Sequence, residues 1–360
     1  MGSPNGTATI KDVARRAGVA VGTVSHYLNG TAPVAEKTAQ RVQRAIERLG
    51  FRIHMGARSL RSRRTYSVGL VLPNISNPFY AEIARAVEDA LWEQGVQTVL
   101  CDSYQDPERE WAHLEGLASR RVDGILLIRS ERGAPAAQVD GLGVPVVYVD
   151  RAGEGRHSVT SDNRCGGQLA ARHLASLGHR RIGVLAGESA VKNVRQRLQG
   201  FRAELTRHRV ALRERDLLCG PQAIEFGYRV DELLAGPDRP TAVFATNDIV
   251  AIGAWRRLIE VGARVPEDVS LVGFDDIEMS RLLVPPLTTV RQDKEAMGRE
   301  AAALLLGLLG GEGRPPAPLL IPPVLVVRGS TAVARGSPEA VAAPMSGRPA
   351  SHIEKEVGSS

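Results

Sequence analysis

Apolar residues recur at helical spacing over the first fifty positions and then, from Tyr66, give way to short apolar runs alternating with longer amphipathic stretches. Ile10, Val13, Ala14 and Ala17 fall on one face of a helix, Gly18 supplies a tight turn, and Val24, Tyr27 and Leu28 fall on one face of a second helix. Thr9 and Asp12 stand three apart, as in a capping box with a shortened acid. Asn29 and Gly30 end the second helix, and a loop containing Pro33 follows. Val42, Ala45, Ile46 and Leu49 then give the stripe of a third helix over 35–49, stopped by Gly50. The first two helices read as a helix-turn-helix whose second member projects Val21, Gly22, Ser25 and His26. That face is small and polar enough to enter a DNA major groove, although a plain apolar hairpin would carry the same stripe.

From Tyr66 the period changes. Apolar runs at 68–72, 98–101, 124–128 and 144–149 alternate with amphipathic helices at 78–95 and 107–120. The rhythm restarts with a helix at 163–177, a strand at 182–186, a helix at 194–208, a strand at 242–245, a helix at 248–261 and a strand at 270–273. Such alternation predicts parallel, doubly wound sheets, here in two similar α/β lobes. Ligands of these sheets bind beyond the carboxyl ends of strands, so the cleft between lobes is the expected site. A turn at Pro285 and Pro286 leads into an extended segment, a helix over 294–309 and a last strand at 324–328. Beyond about Thr331 the pattern fades into Ala, Gly, Pro and Ser, predicting a tail without fixed structure, and no leucine heptad suggests a coiled coil there.

Composition adds one strong asymmetry. Residues 1–64 hold 12 Lys and Arg against 3 Asp and Glu, so the formal +6 of the 360-residue chain is concentrated at one end, as suits a polyanion partner. Cys101, Cys165 and Cys219 are far apart and odd in number, the usage of reduced thiols. No apolar run reaches membrane-spanning length and the leading residues are polar, which predicts a soluble, cytoplasmic protein. Asp150, Asp275 and Asp276 invite an acid–base reading, with His157, His173 and His179 as partners or metal ligands. HExxH, a glycine-rich phosphate loop and GxSxG are all missing, so no catalytic residue, metal or cofactor is expected.

The run TIKDVARRAGVAVGTVSHYLNG closely resembles the DNA-binding headpiece of the LacI/GalR family of transcriptional repressors, and the likeness continues to about residue 335. The resemblance implies an all-α helix-turn-helix headpiece followed by an α/β effector domain of two doubly wound parallel-sheet lobes, of the periplasmic-binding-protein kind. It implies a homodimeric, nucleoid-associated regulator that binds palindromic double-stranded operator DNA and is switched by a small molecule between the lobes. The expected organisation is a disordered lead over 1–8, the headpiece over 9–52, a hinge over 53–65, a first lobe over 66–162 and 293–323, a second over 163–292 and 324–331, and a disordered tail over 332–360. IHMGARSLRS resembles the family's hinge, and Leu60 matches the leucine that wedges between base pairs. PPLTT matches the family's crossover between lobes. Ala20 and Ala35 stand where serine usually caps a helix, and Ile53 and His54 replace a proline and an asparagine, which leaves headpiece stability and hinge geometry open.

By that resemblance Val21, Gly22 and His26 face base edges, Thr23 and Ser25 touch phosphate or support the helix, and Asn29, Arg58 and Leu60 complete the DNA-facing set. Arg197, Asn247, Asp275 and Gln292 match effector-contacting positions, while Asn74, Asp150 and Arg151 lie just past strand ends and Phe79 offers a stacking face. Planar Arg, Asn and Asp groups suit vicinal hydroxyls, so a carbohydrate is the expected effector. Asp248, opening a helix, reads as a cap and is left outside the site. Arg151 and Lys294 stand where some relatives carry aromatics, so a phosphorylated sugar, a nucleobase or another metabolite stays open. A solute-binding transport protein would share the two lobes, but would carry an export signal and no headpiece.

Overall fold

The computed structural model describes residues 8–29, 32–51, 64–130, 132–151, 155–188, 191–313 and 315–335. Contacts divide the chain into one unit up to Tyr66 and another from Ser67 onward. In the first, helices α1 (Ile10–Ala17), α2 (Val21–Asn29) and α3 (Glu36–Leu49) enclose Val13, Ala14, Ala17, Val24, Val42 and Ala45, residues small enough to let three short helices close on one another. The shortened acid completes the capping box: Asp12 N donates to the Thr9 hydroxyl at 3.4 Å, and Thr9 N donates back to Asp12 Oδ2 at 3.0 Å. Gly18, at φ 62°, ends α1 in the left-handed region. Arg41 of α3 folds back and donates to Ala17 O at 2.5 and 3.0 Å and to Gly18 O at 2.7 Å. A cation there complements the carbonyl end of α1.

The second unit begins with β1 (Ser67–Leu72), α4 (Pro78–Trp92), β2 (Gln97–Asp102), α5 (Pro107–Ser119), β3 (Gly124–Leu127), α6 (Ala136–Asp140), β4 (Val146–Val149) and β5 (Ser158–Ser161). It continues with α7 (Asn163–Ser176), β6 (Ile182–Ala186), α8 (Lys192–Arg207), β7 (Leu217–Cys219), α9 (Ile224–Gly227), α10 (Val230–Leu234), β8 (Ala242–Ala245), α11 (Asp248–Glu260), β9 (Ser270–Asp275), α12 (Glu278–Leu282) and β10 (Thr288–Arg291). Last come α13 (Lys294–Leu309), β11 (Pro318–Ile321) and β12 (Val324–Val326). One six-stranded sheet runs β11-β5-β4-β3-β1-β2 and the other β12-β10-β9-β8-β6-β7, parallel throughout except for β12, which is antiparallel to β10. The chain passes between the sheets after β5, after β10 and after β11.

The apolar runs of β1, β3, β6 and β8 are fully buried or nearly so, as strands covered on both faces must be. Strand β5 escapes the apolar pattern because it reads SVTS; it is buried all the same, and Thr160 donates its hydroxyl to Asp150 O at 2.6 Å. Strands β7 and β11 and the short helices α6, α9, α10 and α12 are likewise additions to the pattern. The expected loose tail is corrected at its start: Ala334 N donates to Leu177 O at 2.8 Å, and Ala332 both accepts from His179 and donates to Ser270, so residues 332–335 are fastened to the second lobe.

Helices α7 and α8 pack against each other so closely that a Cβ on Gly167 would sit 2.0 Å from Arg197 O, and one on Gly200 would sit 2.0 Å from Arg164 O. Glycine at both positions permits the approach, and the approach brings Arg197 to the end of the second sheet.

Candidate functional site

On α2, Val24 is completely buried and Tyr27 and Leu28 pack beside it, leaving Val21 42% exposed with Gly22 and His26 open to solvent. Thr23 and Ser25 are half-buried on the flanks. Tyr27 is fixed by donating its hydroxyl to Gln43 Oε1 at 2.8 Å on α3. Asn29 is the last residue of α2. Arg58 and Leu60 lie outside the described residues. The headpiece thus offers one short helix face with an imidazole and two small apolar positions, a shape and chemistry suited to base edges.

Between the lobes of the second unit is a narrow cavity of about 20 Å3, room for a water. Phe79 and Tyr80 at the start of α4, with Asp150 and Arg151 after β4, wall it from the first lobe; Asn193 and Arg197 of α8 and Asp275 at the end of β9 wall it from the second. Asn77 places the α4 end by accepting from Phe79 N at 3.0 Å. Asp150 leaves β4 at φ 63°, which turns its carboxylate inward. Its Oδ1 and its carbonyl both accept from Asn193 Nδ2, at 2.9 and 3.1 Å, a direct bond from lobe to lobe.

Arg197 is held on every side. Its Nε donates to Asn163 Oδ1 at 2.7 Å and its Nη1 to Thr246 O at 2.5 Å; Nη1 lies 3.5 Å from Asp275, and the guanidinium sits 3.7 Å above the Phe274 ring. Burial pushes the Asp275 carboxyl up to about 6, against the lowering influence of Arg197, Gln292 and Lys294. Burial also raises Asp150, opposed by Arg151 and Arg197, and carries the Tyr80 phenol to about 12. Two carboxyls and two guanidiniums meet in a mostly polar lining with the Phe79 ring beside them, an arrangement that offers a ligand both donors and acceptors.

Three residues expected in the cleft have other duties. Asn74 accepts from Ser76 N at 2.9 Å and shapes the turn after β1. Asn247, not Asp248, caps α11, accepting from Val250 N at 2.8 Å. Gln292 acts behind the cavity wall, its Nε2 donating to Asp275 Oδ1 at 2.7 Å. Asp248 is fully buried, accepting from the Thr289 hydroxyl at 2.6 Å and from Ile277 N at 3.0 Å, and burial followed by the nearby Asp275 charge raises it well above the usual carboxylate range. Lys294, open to a phosphate in the sequence reading, is committed to Asp275 O and Asp276 O, each at 2.7 Å. Asn77, Tyr80, Val191, Asn193, Val194 and Gln222 are lining residues that sequence reasoning missed; for Asn193 the available signal was a polar residue on the apolar-facing side of α8.

Of the acid–base reading, Asp150 and Asp275 meet at the cavity, but none of the three histidines lines it. His179 bonds the Thr241 hydroxyl at 2.8 Å and Ala332 O at 3.1 Å, and His173 bonds Thr331 at 3.0 Å, both at the far end of the second lobe's chain. Among the described residues no group of three or more His, Cys, Asp or Glu is placed to hold a metal ion, and no helix is long and apolar enough to cross a membrane.

Comparison with known proteins bears on both units. Residues 9–53 match the family of bacterial regulatory proteins of the lacI type, and residues 171–331 match a periplasmic binding protein-like domain. The HTH-type transcriptional repressor PurR of Mannheimia succiniciproducens is 39% identical over 328 residues, 90% of this chain and 98% of that protein. A Lac repressor dimer bound to operator and an anti-inducer superposes with a TM-score of 0.81 at 28% identity, covering 91% of this chain and all of that one. The transcriptional regulator CelR, in complex with cellobiose, superposes with a TM-score of 0.69 at 38% identity, covering 90% and 99%. With its helix-turn-helix, its two mostly parallel sheets and relatives matched nearly end to end, this chain belongs to the LacI family and is a DNA-binding transcriptional repressor with an effector-binding domain.

Proposed function

We propose that the repressor works as a homodimer on a palindromic operator and that a neutral carbohydrate held between the lobes switches its affinity. The observation that carries the effector class is the cavity itself: buried Asp150, Arg197 and Asp275, with the Phe79 ring beside them, offer paired acceptors and donors around an apolar face. The cellobiose complex of CelR, 38% identical over nine-tenths of the chain, supports the same class. In this reading Asp150, Arg151, Arg197, Asp275 and Phe79 touch the sugar, Gln292 orients Asp275, and Asn193 releases Asp150 as the sugar enters. The domain limits are those expected from the sequence, except that the second lobe extends to residue 335; the hinge over 53–65 presents Arg58 and Leu60 to the minor groove, and Val21, Gly22, Thr23, Ser25, His26 and Asn29 face the major groove. Leu282 and Val284, 74% and 80% exposed, support a second copy covering the α12 side of the second lobe.

The test is a thermal-shift screen of cellobiose, ribose, other sugars, sugar phosphates and nucleobases, repeated on Asp275→Asn. A sugar that raises the melting temperature of the parent but not of the variant, and changes binding to an operator selected from random DNA, supports the reading. A shift from a nucleobase alone overturns the carbohydrate assignment. Operator affinity should fall steeply with salt, each neutralised phosphate adding about 0.9 to the log-log slope.

A further inference from the structure

Lys294 opens α13, the helix that packs on α4 in the first lobe, yet its ammonium reaches into the second. Its three N–H groups have three acceptors: Asp275 O at 2.7 Å, Asp276 O at 2.7 Å and Glu82 Oε2 of α4 at 3.3 Å. The side chain is 7% exposed, so these bonds face little competition from water. The backbone it grips is unusual. Asp275 has φ 117° and Asp276 φ 50°, two consecutive non-glycine residues in the left-handed region, a strained conformation that persists only where the surroundings impose it. The same turn aims the Asp275 carboxylate into the cavity and sends the Asp276 carboxylate the other way, to Arg281 and Arg328.

We propose that Lys294 is a positioning residue for effector recognition: by holding the carbonyls of Asp275 and Asp276 it sets the direction of Asp275, and it makes that direction depend on the first lobe through α13. Its place two residues beyond Gln292, at the second crossing between lobes, lets the brace persist while the lobes rock. Gln292 and Lys294 then divide the task, one fixing the Asp275 carboxylate and the other its backbone. The role in recognition rests on the reading of Asp275 as an effector contact; the brace itself does not.

The experiment compares the full-length parent with Lys294→Met, Lys294→Arg and Glu82→Gln, without any added sugar. Carboxyl carbon NMR follows Asp275, assigned from its disappearance in Asp275→Asn, and hydrogen exchange follows the amides of residues 275–277. Besides Lys294, the charged groups facing Asp275 are Arg197, Asp150 and Asp248. In Lys294→Met the Asp275 titration should move up by about one pH unit, and exchange at 275–277 should rise about tenfold or more. Lys294→Arg should restore both. Glu82→Gln, which leaves the two carbonyl bonds intact, should stay within about threefold of the parent in exchange. If Lys294→Met fails to fold, Lys294→Gln, too short to reach both carbonyls, carries the same expectation. A methionine or glutamine variant that lowers the melting temperature alone, with titration and exchange as in the parent, overturns the proposal, as does an arginine variant that restores neither. Failure of every sugar to stabilise the parent would sink the effector reading instead, and leaves these readouts to decide the brace.

Discussion

The headpiece offers its partner exposed side chains within a few positions of one helix, whereas the effector cleft offers buried ones drawn from α4, the end of β4, α8 and β9. Val21, Gly22 and His26 touch little of the headpiece core, so their chemistry is free to vary while Val13, Val24 and Val42 keep the three helices together. In the cleft no such division exists. Arg197 and Asp275 are at once the chemistry of the site and the bonds by which β8, β9 and α7 hold their ends. A surface site can change specificity at little structural cost; a buried one changes stability and recognition together.

The strongest attempt to break that contrast is Arg197→Ala. It leaves Asn163, Thr246 O and Asp275 without their shared donor in a buried space, and should cost about 3–5 kcal/mol of stability, read as a lower urea midpoint, along with effector binding. Arg197→Lys should recover only part of this, since an ammonium cannot reproduce the fork or stack on Phe274. A variant with normal stability but no effector binding would mean that site and scaffold are separable after all.

His26→Ala probes the other side. With an exposed imidazole removed from α2, stability should change by less than about 0.5 kcal/mol, while preference at one base position of the operator should relax by about 1–3 kcal/mol. Selection from randomised operators reads the preference, and an unchanged consensus removes His26 from the reading set.

The same contrast governs what the amino-acid pattern reveals. Helix α2 is legible because burial and exposure alternate within one local period, and β1, β3, β6 and β8 because strands covered on both faces are apolar throughout. Polar interior structure hides from such reasoning. SVTS lacks the apolar run of a buried strand, yet β5 lies between β4 and β11. Asn247 and Asp248 are adjacent, and either satisfies the local rule for a cap; what distinguishes them is Thr289, 41 residues on, and Ile277, 29 residues on, which take the Asp248 carboxylate. The bond of Asn193 to Asp150 spans 43 residues and two lobes. Partners at such distances leave no periodic trace.

Burial of titrating groups confines the next prediction to the second unit. His179 is pushed down to about 4, chiefly by burial, so between about pH 4 and 6.5 the unfolded chain holds more protons there and stability rises with pH. Asp275 has the opposite sign: raised to about 6 by burial, it holds its proton more firmly when folded, and stability falls as pH rises from about 4 to 6. Asp150 and Asp248, also raised, add to the fall. Each group contributes at most about 1.4 kcal/mol per pH unit. Urea midpoints across this range should show a shallower fall in Asp275→Asn and a steeper one in His179→Gln; slopes unmoved by either change would mean that neither group titrates differently on folding.

The smallest effect sharpens the comparison from the headpiece side. Ala35 occupies the cap position of α3 with φ −54° and ψ 137° and forms no side-chain cap bond, so a backbone N–H in the first turn of α3 lacks the acceptor a serine would give it. Ala35→Ser should add about 0.5–1 kcal/mol to the headpiece, seen as slower amide exchange along α3, and should leave melting of the effector unit and its effector response unchanged. Operator preference should also stay as it is, because the substitution acts on α3 while the side chains proposed to read bases stand on α2. If the serine altered the consensus as well, capping and reading would be coupled, and the headpiece would resemble the cleft in making one set of residues serve both structure and recognition.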